Sequence, residues 1–424
     1  MVGPDVAGKG HALLEWLLRP AARGWRALSL AVVLGVCVHA SLKSNWGSDN
    51  AFVVKAADTL LAGGSPYEDK RFLYLPSAVL LAVPQALLPT GVLRWVLPVA
   101  VTALLAFGWW CALRLFGVPA RSRFALVGFA ALAIGFKPYE NLVTLGNWTA
   151  VSAAALPAAL LLAHRNRWLA AGAVVGLAIA AKPMLVPVGL LFLLARQWRG
   201  LAAAVLVPVA LSLAGALLMP APGLFFTKTL PFLLRGQDAY ALVWDASPVA
   251  VLPRLGVPTA LAAGLAGVLA AAGLWAAWRR WTRPEGPGGD AGAGGADGAL
   301  RLAETACMVM LAAFLVSRPS FDHYLLVVLP LLLASVVRPG SGARSPWFWA
   351  ALVPQVTGMP WNWYFDRERR AFKDCFTLCV LAVALMRACA DRTRSTLGTV
   401  RTAGSAPPQR SAGELPEAGS RPAF

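Results

Sequence analysis

Apolar runs recur along this chain from Trp25 to Met386, each parted from the next by a short polar or arginine-rich stretch. A helix needs roughly 20 mostly apolar residues to cross the hydrocarbon of a bilayer, so such runs read as membrane spans. The first is about Trp25–Ser41. Later candidates are about Leu93–Phe116, Phe124–Phe136, Thr149–Ala163, Leu169–Ala181, Met184–Ala195, Leu201–Met219 and Thr259–Trp278, then Leu302–Ser317, Tyr324–Val337, Trp347–Thr357 and Cys375–Ala388. Several are short and rich in Ala and Gly, as close helix packing in lipid allows. The stretch Pro76–Pro89 differs. It is short, carries Pro76, Pro84 and Pro89, and reads as an interfacial or re-entrant segment shielded by other helices.

Composition agrees with this pattern. The 424 residues are 58% hydrophobic and only 14% charged, too little charge for the surface of a soluble protein of this length. The net charge of +18 would suit a nucleic-acid partner, but the basic residues sit at the ends of apolar runs, as the positive-inside rule predicts, so no nucleic acid is expected. Arg114, Arg121 and Arg123, the stretch His164–Arg167, and the arginines at 196–199, 279–283, 338–344 and 387–394 all fall on one side if Pro76–Pro89 does not cross. The fold expected is therefore all-α, a polytopic transmembrane helical protein of about 12 spans with an outer-face interfacial helix. It would be multi-pass in the cell membrane with both termini cytoplasmic. Residues 1–24 read as a cytoplasmic N-terminal segment, 25–390 as the membrane domain and 391–424 as a disordered cytoplasmic tail. Within the membrane domain, 43–75 is the first outer loop and 284–300 a disordered cytoplasmic loop. The six cysteines form no CxxC pair and no His/Cys cluster has metal spacing. No cofactor is expected, and a divalent metal is left open.

With this topology, the polar residues of the outer face are few. Lys43–Tyr74 holds Asp49, an amphipathic helix over Ala51–Ala62 with Phe52, Val53, Ala56 and Leu60 at helical spacing, and Tyr67 and Tyr74 around a charged cluster. Lys137–Trp148 brings Glu140, Asn141 and Asn147. Lys182 ends a very apolar segment, where a cation is costly unless it meets an anion. The loop Pro220–Val257 holds Lys228, Arg235, Asp238, Tyr240 and Asp245; Ser317–Tyr324 holds Arg318, Asp322 and His323; Met359–Lys373 is basic although outside. An acid can serve as general base, while Lys and Arg can hold a phosphate. Such a set suits a reaction on a membrane-borne phosphate. Each residue also has a plainer reading. Asp49 could cap the following helix, Lys182 could snorkel to headgroups, and His323 could be a packed interface histidine. Arg367, Arg369 and Arg370 read as lipid-headgroup contacts. Asn147-Trp148-Thr149 matches a glycosylation sequon by coincidence. A transporter or flippase of lipid-linked glycans is the rival class; it would show internal repeats, and none is visible.

The order Asp49, then Gly63-Gly64-Ser65-Pro66-Tyr67, then Tyr74-Leu75-Pro76 resembles glycosyltransferase family 87 of the GT-C fold. Gly146-Asn147, Ala181-Lys182-Pro183 and Asp322-His323-Tyr324 are similar to further motifs of that family, and the resemblance runs from about Asp49 to Met386. Where the family usually shows two prolines after the tyrosine, this chain keeps Pro76 and has Ser77. The stretches KPMLVPVGLLFLLARQWRGLAAAVLVPVA and FFTKTLPFLLRGQDAY look like the actinobacterial branch that uses polyprenyl-phosphate arabinose, an arabinofuranosyltransferase. The Asp-His-Tyr triplet looks more like the mannosyl branch, so both donors stay open, with arabinose favoured. The resemblance implies an inverting transfer from a polyprenyl-phosphate sugar donor to a cell-envelope glycan or glycolipid at the outer face, amid membrane lipids. It implies Asp49 and His323 as catalytic residues, Lys182 and Arg318 on the donor phosphate, and Tyr67, Tyr74, Asn147, Asp322 and Tyr324 on substrate.

Overall fold

A computed structural model describes residues 12–235, 242–283, 296–358 and 367–391. Among these residues the chain is helical, without a named strand. Five helices are long and apolar enough to cross a membrane: α1 (Arg23–Leu42), α4 (Thr90–Leu115), α9 (Trp198–Leu218), α10 (Thr259–Thr282) and α11 (Ala296–Val316). A sixth crossing exists if α6 (Lys137–Leu145) and α7 (Thr149–His164), which are bent by 117° at the break between them, count as one broken span. The expected count of about 12 is thus not reached by length and composition. The difference lies in apolar stretches that form short helices or break, including α3 (Pro76–Ala86), α5 (Arg123–Gly135) and α8 (Trp168–Ala181). Met184–Ala195, expected as one span, is a 3-10 turn over Pro183–Val188 followed by a helix of 6 residues. Tyr324–Val337 divides in the same way at Val328, and Trp347–Thr357 holds a helix of 7 residues. Proline explains two of these breaks: Pro187 and Pro330 each remove a backbone donor.

A helix is present where the sequence predicts one, as α2 (Ser48–Leu61), starting three residues before the expected Ala51, so Asp49 lies in its first turn and not ahead of it. Its inward face is Val53, Ala56 and Ala57, packed on α3. Pro76–Pro89 gives only the 11-residue α3, too short to cross. Asp238, Tyr240, the loop 284–295, the segment 359–366, the side chains of Arg367 and Arg369, and the tail from 392 lie outside the described residues.

Small residues let the helices meet. A Cβ on Gly172 of α8 would run into the backbone of Gly200 in α9, so this crossing brings backbone against backbone. Helix α11 is central, 83% of its apolar window buried, whereas α1 and α9 are each only 17% buried and leave Leu28, Leu30, Leu206, Leu213 and Leu217 exposed. Apolar surface of that extent on outer helices is what lipid contact requires. The main core lies between α4, α7, α8, α11 and α12 (Arg367–Ala390). A smaller one lies under α2 and α3, with Tyr67, Phe72 and Trp148. The polar residues discussed next stand where the two cores adjoin.

Candidate active site

Asp49 owes its place to Gly47. That glycine takes the left-handed conformation (φ 63°), donates its N–H to Thr144 O at 2.7 Å and begins α2. No side chain caps this end of the helix, and the Asp49 carboxylate in the first turn is left for other partners. The side chain is half-buried, and Oδ2 accepts from Asn147 Nδ2 at 2.6 Å.

Asn147 sits in the bend between α6 and α7. Gly146 makes the bend with φ 63°, and a Cβ there would meet Leu97 and lie 3.3 Å from Asn50 Cβ. Only glycine satisfies both conditions. Asn147 Oδ1 then accepts from the Thr149 N–H (2.9 Å), the Thr149 hydroxyl (2.7 Å) and Lys182 Nζ (2.8 Å). Lys182, at the end of α8, also donates to Thr149 Oγ1 at 2.9 Å, and its Nζ stands 5.0 Å from the centre of the Tyr324 ring. Desolvation pushes the Lys182 ammonium down to about 8, against the opposing pull of the Asp49 charge.

Two tyrosines back this group. Tyr74 is half-buried and meets Trp148 edge-on at 6.2 Å; Trp148 in turn donates to Asn50 Oδ1 at 2.8 Å. Tyr67 is fully buried, edge-on to Phe225, and donates its hydroxyl to Tyr74 O at 3.0 Å. Its place is behind Tyr74, in the small core.

A second cluster lies beyond Tyr324. Asp322 Oδ1 accepts the His323 N–H at 2.8 Å and lies 3.3 Å from His323 Nδ1; Oδ2 pairs with Arg370 Nη2 at 3.1 Å and accepts from Asn141. Burial works to raise the Asp322 carboxyl, but the His323 bond and the Arg370 charge overcome it and hold the acid well below the usual carboxylate range. His323 is 2% exposed, stacked on Phe321 and edge-on to Tyr324, and Nε2 has no partner among the described residues. Arg370, read in the sequence as a headgroup contact, here holds an acid. Arg318 is drawn to Asp245 (3.8 Å), whose Oδ1 accepts the N–H groups of Ser247 and Ser320. Glu140 is shared between Lys43 and Lys137.

The structure thus brings Asp49, Asn147, Lys182 and Tyr324 together. Tyr74 adjoins through Trp148, and Asp322 and His323 join through Tyr324. Arg318 contacts none of these among the described residues. Three members were given no place in the site by the sequence. Thr149 reads there as the start of an apolar run, Asn141 as one polar residue among several, and Arg370 as part of a basic stretch. Only the spacing of Arg370 and Asp374, four apart on a helix and 3.8 Å from each other here, offered a local signal. Among the described residues no three His, Cys, Asp or Glu side chains are grouped to share a metal ion.

The family model of glycosyltransferase family 87 matches residues 72–317. The stretch includes Tyr74, Asn147, Thr149 and Lys182; Asp49 precedes it and Asp322 follows it. The chain is 33% identical over 183 residues to the alpha-(1->3)-arabinofuranosyltransferase of Mycobacterium tuberculosis, a match covering 41% of each chain. It is 33% identical over 177 residues to the protein of the same name from Corynebacterium glutamicum, again 41% of each. The chain thus spans about two fifths of the length of these curated relatives. No solved structure matches.

Proposed function

The chain belongs to glycosyltransferase family 87 and is a multi-pass membrane glycosyltransferase; from that premise we propose that it transfers arabinofuranose from a polyprenyl phosphate to a cell-envelope glycan or glycolipid. The reaction takes place on the outer face, both termini being cytoplasmic, and it inverts the anomeric centre. The observation that carries this reading is one carboxylate tied through one amide to one ammonium. Asp49 Oδ2 is held by Asn147, its Oδ1 accepts no hydrogen bond among the described residues, and Lys182 holds the far side of Asn147. Asp49 Oδ1 takes the proton of the acceptor hydroxyl as that oxygen attacks the anomeric carbon. The carbon–phosphate-oxygen bond breaks on the opposite face, and its electron pair leaves with the polyprenyl phosphate. Lys182 supplies positive charge where the phosphate gains negative charge. Outer placement is supported by the arginine-rich loops that the positive-inside rule assigns to the cytoplasm.

Arabinose is favoured because two relatives bear that activity in their names. Mannose is the second reading, favoured only by Asp322-His323-Tyr324. Purified full-length protein, given each polyprenyl-phosphate sugar with a radiolabelled sugar and a short arabinofuranosyl oligosaccharide as acceptor, should transfer arabinose, and Asp49→Asn should lose about a hundredfold or more in rate. Full rate in Asp49→Asn sinks the mechanism. Transfer of mannose alone moves the protein to the second donor.

A further inference from the structure

We infer that Asn147 and Thr149 are positioning residues for Asp49, not substrate contacts, an inference that rests on the reading of Asp49 as general base. The argument concerns which way one amide points. An Asn side chain has an oxygen that only accepts and a nitrogen that only donates. Here the oxygen is met by three donors: the backbone N–H and hydroxyl of Thr149, and the ammonium of Lys182. A flipped amide would turn its NH2 toward all three, and Lys182 and the backbone N–H cannot accept. The NH2 must therefore face Asp49, whose carboxylate can only accept. Thr149 fixes the amide twice, and its hydroxyl proton, committed to Asn147, leaves the oxygen lone pairs for Lys182.

The arrangement has little freedom. Asn147 is 4% exposed and Thr149 fully buried, and Gly146 fixes where the backbone of Asn147 lies. Lys182 uses two of its three N–H groups on this pair and presents its remaining side to the face of Tyr324. Asn147 is thus engaged on both of its polar ends before any sugar arrives. Its effect on the reaction runs through the aim of the Asp49 carboxylate, and Thr149 acts one step further back.

The test is steady-state kinetics of the full-length protein with polyprenyl-phosphate arabinofuranose and the oligosaccharide acceptor. Thr149→Val keeps the shape and removes the hydroxyl; it should lower kcat about tenfold with the donor KM unchanged within about twofold, one hydrogen bond being worth roughly that factor. Thr149→Ser, which keeps the hydroxyl, should recover most of the rate. Were Thr149 only a packing residue, the order would reverse, with Val silent and Ser impaired, and the inference would be overturned. Asn147→Ala breaks the same chain in the middle and should lower kcat by about ten- to a hundredfold, again without a rise in donor or acceptor KM. A raised KM with kcat kept would make Asn147 a substrate contact and overturn the inference by a second route. Failure here is separable from failure of the general-base reading: if Asp49→Asn is inactive while Thr149→Val and Asn147→Ala run at full rate, only the positioning role falls.

Discussion

Asp49 and Asp322 both lie near Tyr324, one through Lys182 and the other through His323, and are held in opposite ways. Asp322 is buried and surrounded: His323, Asn141 and Arg370 all reach its oxygens. Asp49 is half-buried and takes one neutral donor, Asn147, leaving Oδ1 open among the described residues. A carboxylate that accepts several bonds and pairs with a guanidinium is a strong anchor and a poor base, because each partner favours its charged form. A carboxylate with one neutral partner beside an open oxygen can take a proton. The Asp-His-Tyr triplet sets the ring of Tyr324 against Lys182, and in the proposed mechanism Asp49, not Asp322, is the base.

The sharpest way to break this contrast is to remove each charge in turn. Asp49→Asn should abolish transfer while thermal inactivation in detergent stays near the wild-type temperature. Asp322→Asn should do the reverse in emphasis. It strips Arg370 of its main partner, should destabilise by about 2–3 kcal/mol and should lower the inactivation temperature plainly. If both variants lose activity and neither loses stability, the two acids are not different in kind. Next in size is Gly146→Ala, which should cost about 1–3 kcal/mol from the left-handed backbone alone and also displace Asn147, so that rate falls as well as stability. A Gly146→Ala protein with normal rate would separate the bend from the Asp49 side. The smallest effect concerns pH. Lys182 is held to about 8, so its charge is present below that pH and lost above it. Transfer should therefore fall on the alkaline side, by about tenfold one pH unit past the midpoint, and Lys182→Arg should remove that fall. An unchanged alkaline limb in Lys182→Arg would assign the limb to another group.

Much of the Asp49 side was legible in the sequence, and little of the Asp322 side was. Asp49, Asn147 and Lys182 each lie next to a strong local marker: the end of the first span, a glycine bend, and the end of an apolar run before proline. Thr149 escaped notice because a threonine opening an apolar helix has no distinctive pattern; its role depends on Lys182, 33 residues on. Arg370 escaped because its partner is 48 residues away and the arginines around it look alike. The helical class was plain from the apolar runs. Only five of the expected spans are single helices long enough to cross by length and composition, since periodicity cannot tell a crossing from a short apolar helix that breaks at a proline, as at Pro187 and Pro330. The helix carrying Asp49 was placed three residues late because the residue before its true start, Gly47, is fixed by a bond to Thr144 in a distant segment.

The pairing of Arg370 with Asp322 also has a consequence for how the protein is made. Translation delivers the acid 48 residues before the cation that neutralises it, whereas its amide partner Asn141 has been waiting for 181 residues. Until α12 is synthesised, the nascent chain carries a carboxylate bound for the interior without its guanidinium. The groups on the Asp49 side, from Asp49 through Lys182, have by then all been synthesised. The residues of the Asp49 cluster up to Lys182 thus leave the ribosome before the Asp322–Arg370 pair can close.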